Sequence, residues 1–212
     1  MKILPSISRI AFYGFAITFL LVLNSCASSF SSIAPDRIIT FSSEVESDSV
    51  RLEYEFRRPK KKYQKKMTKH GIQILAVKIQ NNSEKNLKLG DNLFLVDSRG
   101  QRLKIMDSVD AHQKIKQKSG FYLLYLLLTP MNVYSTKSTA DGVETNTFPA
   151  GLIVGPGLAI GNMVVASGAN NKFKDELLQY DLSKIDIAPG KTAYGLVCIN
   201  QTNYSAVNID VR

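Results

Sequence analysis

Val50, Leu52, Tyr54 and Phe56 alternate with Arg51, Glu53, Glu55 and Arg57. So strict a period of two commits this stretch to a strand with one face buried and one in water. Such a strand needs a sheet to join and a second layer to cover its apolar face. Further strands follow from the same reasoning. Residues 72–80 (IQILAVKIQ) form one whose phase changes at Leu75-Ala76, which predicts a bulge. Asn81-Asn82-Ser83 ends it with turn chemistry. Leu93–Val96 is a short apolar strand, Asp97-Ser98-Arg99-Gly100 a hairpin turn, and Leu103 and Ile105 continue into a return strand. Ala188-Pro189-Gly190-Lys191-Thr192 is a turn before a strand over 193–199, and Val207, Ile209 and Val211 alternate in a last one. Residues 37–41 are a candidate first strand. About seven short strands with turns between them predict a mainly β fold, an antiparallel sandwich.

The N-terminus has a different character. Lys2 and Arg9 supply positive charge, and residues 10–23 (IAFYGFAITFLLVL) carry none. A membrane-spanning helix needs about 20 apolar residues, so this run suits the core of a signal peptide better. Leu23-Asn24-Ser25-Cys26 follows at once and resembles the lipobox of bacterial lipoproteins. The resemblance implies removal of residues 1–25, acylation of Cys26 and attachment to a membrane. It also implies an outer-membrane address on the periplasmic face, since Ala27 is not the Asp that retains such proteins at the inner membrane and no acidic run follows. Residues 26–36 read as a lipidated cysteine and a flexible tether, uncharged over residues 27–32. Residues 37–212 are left as the folded domain.

Three strand-and-turn motifs resemble the immunoglobulin-like domains of bacterial envelope lipoproteins. They are Val77-Lys78-Ile79-Gln80-Asn81-Asn82-Ser83, Leu95-Val96-Asp97-Ser98-Arg99-Gly100 and Ile187-Ala188-Pro189-Gly190-Lys191-Thr192. The likeness covers about residues 37–106 and 185–212 and concerns fold, with no catalytic residues attached.

Residues 107–184 break the β pattern and predict an inserted helical hairpin. Residues 119–136 and 145–171 contain no charge, and 172–178 read as an amphipathic helical tail. Gly151/Gly155 and Gly157/Gly161 have the four-residue spacing that lets helices approach closely. Three arrangements fit: packing on the sandwich, dipping into the membrane, or self-association. In the last two, Leu123, Leu124, Leu127, Gly151, Gly155, Gly157 and Gly161 are the candidate membrane or partner contacts. Pro130, Asn132, Pro156 and Asn162 interrupt the apolar runs and argue against full spanning.

Eight of the thirteen residues 57–69 are basic, within a chain of net charge +9. This segment predicts an exposed loop or extended hairpin. Lys60, Lys61, Lys62, Lys65 and Lys66 are its candidate contacts to an anionic surface. A secreted chain meets anionic lipids or other envelope polyanions, not nucleic acid. Asp48-Ser49-Val50 and Asp107-Ser108-Val109 resemble a short O-glycosylation motif of envelope proteins.

Catalytic, metal and cofactor sites are not expected. His70 and His112 lack metal-ligand spacing and read as surface residues. With Cys26 acylated, Cys198 has no partner for a disulfide and reads as a small buried hydrophobe. The glycine run lacks the spacing and the strand-turn-helix setting of a nucleotide site. The sum is an expectation of a non-enzymatic envelope lipoprotein with a binding, assembly or structural role, held to a membrane and open to envelope-protein partners. A carrier of lipid or a small apolar ligand, with the insertion covering a cavity, is the alternative.

Overall fold

The structure is a computed structural model that describes residues 26–139 and 142–212. The signal-peptide assignment, residues 1–25, lies outside the described residues. The chain divides into two compact units. A sheet unit comprises Ser29–Lys118 and Ser167–Arg212, and an apolar unit comprises Ser119–Ala166 with the described residues up to Ser28.

In chain order the elements are β1 (Ser43–Ser47), β2 (Val50–Arg57), α1 (Lys61–His70), β3 (Ile72–Asn81), β4 (Leu87–Lys88), β5 (Leu93–Val96), β6 (Ile105–Met106) and α2 (Ser108–Ile115). Then come a 3-10 segment (Ser119–Leu128), β7 (Val133–Thr139), β8 (Gly142–Phe148), α3 (Gly151–Gln179), β9 (Asp186–Ile187), β10 (Thr192–Asn200) and β11 (Asn208–Val211). Among the described residues strand, in antiparallel sheets, and helix each take 34%, so the expected mainly β fold is met in part, with as much helix as strand.

The sheet unit is built on a five-stranded antiparallel sheet of order β1-β2-β3-β10-β6, with β5–β11 and β4–β9 as separate pairs. β1 and β2 are joined through Asp48 (φ 50°) and Ser49 (φ 62°). Two left-handed residues make the turn whose twist matches a hairpin. Residues 37–41 do not form the first strand; Pro35–Arg37 is a 3-10 turn and the strand begins at Ser43. β3 runs without the expected bulge. Its pairing is continuous from Arg57↔Ile74 to Val50↔Asn81 on one side and from Asn200↔Ile72 to Thr192↔Gln80 on the other. Alternation fades because β3 is central and covered on both faces.

On one face Leu52, Leu75, Val77, Ile79, Val197 and Ile199 pack with Leu93, Leu95, Val207 and Ile209. The Tyr54 hydroxyl accepts the Val207 N–H at 2.9 Å, so the burial of its polar end is compensated. On the other face Ile72, Ile74, Ala76 and Cys198 pack with Tyr63, Met67, Ile115, Phe173 and Leu177 from the helices.

The basic segment is a helix where a loop was expected. Tyr63 and Met67, four residues apart, are buried on one side of α1, and that apolar pair supplies the tertiary packing a short helix needs. Gly71 ends it at φ 61°, and its N–H caps the Met67 and Thr68 carbonyls. In α2 the Asp107 carboxylate caps the N–H groups of Val109 and Asp110. Ser108 is buried behind it, whereas Ser49 stands in an exposed turn.

Candidate functional site

The expected helical hairpin is replaced in the apolar unit by a 3-10 segment, a β hairpin and one long helix. Residues 133–148 contain Val133, Thr136, Val143, Thr145 and Thr147, whose branched side chains favour strand. β7 and β8 pair in register from Val133↔Phe148 to Thr139↔Gly142. The four glycines divide into two pairs. The Gly151 N–H donates to the Met131 carbonyl at 2.8 Å. A Cβ on Gly151 would stand 2.1 Å from the Leu128 carbonyl oxygen, and one on Gly155 would stand 3.0 Å from the Thr129 hydroxyl. These two glycines therefore pack against their own chain and are not the open contacts expected. A Cβ on Gly157 or Gly161 would meet nothing within 4 Å.

The surface of this unit is apolar. Nineteen large hydrophobic residues are exposed among the described residues, and sixteen of them lie between Phe121 and Val165. Leu123, Leu124 and Leu127 are among them, with Leu127 74% exposed. Ile153, Ile160 and Val164 are exposed on α3. By length and composition α3 is apolar enough to cross a membrane, with mean hydropathy 1.6 over its most apolar window. Its last turns are committed elsewhere, since Ala169, Phe173 and Leu177 belong to the core of the sheet unit. Residues 151–166 rise only about 24 Å at about 1.5 Å each, short of a hydrocarbon core of about 30 Å.

Cys26 is exposed. The Ala27 N–H beside it donates to Asn162 Oδ1 at 2.6 Å, and Asn162 Nδ2 donates in turn to the Leu158 carbonyl at 2.9 Å. Cys26 is thus held next to a residue halfway along the uncharged part of α3. Within the sheet unit the supposed flexible tether is pinned. The Phe30 ring lies 4.9 Å from Phe173 and 6.1 Å from Tyr63, centroid to centroid. Glu176 Oε1 accepts the N–H groups of Ile33 and Ala34, each at 2.8 Å, and the Ser32 hydroxyl. Glu176 sits between Phe173 and Leu177 on the buried side of the helix; an acidic residue there was the sequence signal for this clamp.

Asn170 joins three elements. Its Oδ1 accepts from the Tyr63 hydroxyl at 3.2 Å and the Gln117 N–H at 2.8 Å, and its Nδ2 donates to the Gln117 carbonyl at 2.8 Å. His112, expected at the surface, is buried with Nε2 3.0 Å from the Asn170 carbonyl. Burial holds its pKa below the usual 6.5, with Lys116 and Lys174 adding to the effect. Cys198 is buried in β10, and its thiol is pushed up to about 12, chiefly by desolvation. A thiol so placed supplies almost no thiolate at neutral pH. Among the described residues no three His, Cys, Asp or Glu side chains gather as a metal site.

The lysines of α1 point away from Tyr63 and Met67. Lys60 Nζ donates to Ser29 Oγ at 2.5 Å, and Lys66 Nζ donates to the Lys116 carbonyl. Burial lowers the Lys66 pKa, and Lys118, Lys116 and Lys69 lower it further. Lys61 and Lys65 are exposed and Lys62 is half-buried. The chain matches no protein-family model, no curated protein and no solved structure.

Proposed function

We propose that this chain is a lipid-anchored protein of the bacterial envelope that works by contact, with the apolar unit as its working surface. The observation that carries the reading is the gathering of sixteen of the nineteen exposed large hydrophobics into that unit. Exposed apolar side chains gathered in one unit mark a site of membrane or protein contact. The bilayer that receives the acyl chains of Cys26 is its first partner, because Ala27 is hydrogen-bonded to Asn162 on the same apolar helix. The free part of α3 is too short to span, so the unit lies in the apolar margin of one leaflet. The address is the periplasmic face of the outer membrane, as Ala27 suggests. The bare surface weighs against a carrier whose insertion covers a cavity.

The sheet unit is read as an immunoglobulin-like sandwich, with β5–β11 facing the five-stranded sheet and the helices added on its outer side. Its role is to present the apolar unit and the tether.

Replacing Cys26 with Ala tests the anchor. Incorporation of a fatty-acid analogue should be lost, and the uncleaved precursor should accumulate. Undiminished incorporation would refute the assignment of Cys26.

A further inference from the structure

α1 carries a face of lysines with no acidic residue in the helix. At about 100° per residue, Lys61, Lys62, Lys65, Lys66 and Lys69 fall within one arc of about 140°, away from buried Tyr63 and Met67. The hydrogen bond from Lys66 to the Lys116 carbonyl brings the segment after α2 to the same face, with Lys116 and Lys118 on it. Several other cations of the sheet unit have carboxylate partners: Arg51 pairs with Glu44, Arg57 with Glu55 and Lys78 with Glu53, each at 2.8 Å. Among the described residues, Lys61, Lys65, Lys66, Lys69 and Lys116 have no such ion pair. Like charges held together without a counter-charge repel one another, and a bound anion relieves the repulsion. Burial is the main cause of the depressed Lys66 pKa, and the charged groups that add to it are all lysines, Lys118, Lys116 and Lys69.

The location of this face identifies the anion. Lys60, at the start of α1, is bonded to Ser29. Ser29 is three residues from Cys26, a distance the chain spans in at most about 11 Å. We propose that the lysine face of α1, extended by Lys116, binds the phosphates of anionic lipid headgroups in the membrane that holds Cys26. The proposal rests on the lipid-anchor reading above. Lysine suits this partner, because a compact charge on a flexible stem follows a fluid array of phosphates without fixed geometry. Each lysine near such a surface contributes about fivefold in affinity. The contact orients the domain on its membrane; the acyl chains hold it there.

The test uses the native lipoprotein, purified from membranes and reconstituted into two kinds of vesicle: phosphatidylcholine alone, and phosphatidylcholine doped with phosphatidylglycerol. Surface amines are acetylated for short times and each lysine is read by peptide mass. Labelling of Lys61, Lys65 and Lys69 should fall about fivefold or more on the anionic vesicles. Lys85, Lys104 and Lys191, exposed elsewhere on the sheet unit, should label equally on both. Protection should vanish near 0.5 M salt, where the screening length is about 4 Å. Equal labelling of the α1 lysines on both vesicles overturns the proposal, as does equal protection of the three control lysines. Inorganic phosphate at matched ionic strength should not protect the α1 lysines on phosphatidylcholine; if it does, the ligand is free phosphate and the lipid assignment falls. The mass of the Cys26 peptide from the same sample reports acylation separately, so a failed anchor is distinguished from a failed headgroup site.

Discussion

The clamp on the tether gives the sharpest prediction. Glu176→Ala removes one carboxylate oxygen that accepts the Ile33 N–H, the Ala34 N–H and the Ser32 hydroxyl. A hydrogen bond to a charged group contributes about 1.5–3 kcal/mol, and a buried donor left without a partner costs about 1–3 kcal/mol. Three donors sharing one oxygen do not add fully, and water reaches the freed tether, so the net local loss is about 2–4 kcal/mol. At about 1.4 kcal/mol per factor of ten, the Ile33 and Ala34 amides should exchange with solvent about 30- to 1,000-fold faster. Glu176→Gln keeps the shape and one acceptor without the charge, and should fall between wild type and Ala. The assay is native-state hydrogen exchange at single-residue resolution, with β3 amides as the internal reference for global stability. The packing of Phe30 on Phe173 supplies the rest of the clamp, so Phe30→Ala should release the same amides. Unchanged exchange at Ile33 and Ala34 in Glu176→Ala, with β3 also unchanged, would refute the clamp.

Two further outcomes follow from the same geometry. His112 is buried with its pKa held below 6.5, so the folded state disfavours the charged ring. Its contribution is fully present above pH 6.5 and is lost as pH falls below that value; thermal unfolding of His112→Asn should show a shallower acid slope over pH 6.5 to 5 than wild type. For the glycines, Gly157→Ala projects into open space and should favour the helix by about 0.8–1.0 kcal/mol. Gly151→Ala meets backbone at 2.1 Å and should destabilise the apolar unit by about 1–3 kcal/mol or more, seen as faster amide exchange in residues 119–131 in detergent.

Much of the sheet was legible because its signals are local. β2 declared itself by alternation, β10 and β11 by apolar runs bounded by turns, and the turn at Gly190 by its chemistry. β3 reads as a strand, but its phase change points to a bulge that the continuous pairing excludes, since a strand covered on both faces loses the alternation that locates its buried side. α1 is hidden in the sequence because eight basic residues in thirteen obscure the one pair, Tyr63 and Met67, that makes it amphipathic. Residues 133–148 bridge two uncharged stretches, 119–136 and 145–171, whose apolar character points to helices and masks the branched side chains that favour strand.

The sequence by itself determined the alternating strands, the turn positions, the basic run and the uncharged character of residues 145–171. Each depends on neighbours within a few residues, through side-chain period, backbone preference and charge. Tertiary structure decided which apolar residues are covered. Phe173 and Phe121 are alike in chemistry, yet the first is fully buried and the second 61% exposed. It also decided that Glu176 meets Ser32, 144 residues away, and that Gly151 and Gly155 face their own chain while Gly157 and Gly161 face open space. Burial and hydrogen bonding are set by whatever the fold brings alongside, and no local pattern encodes a partner that distant.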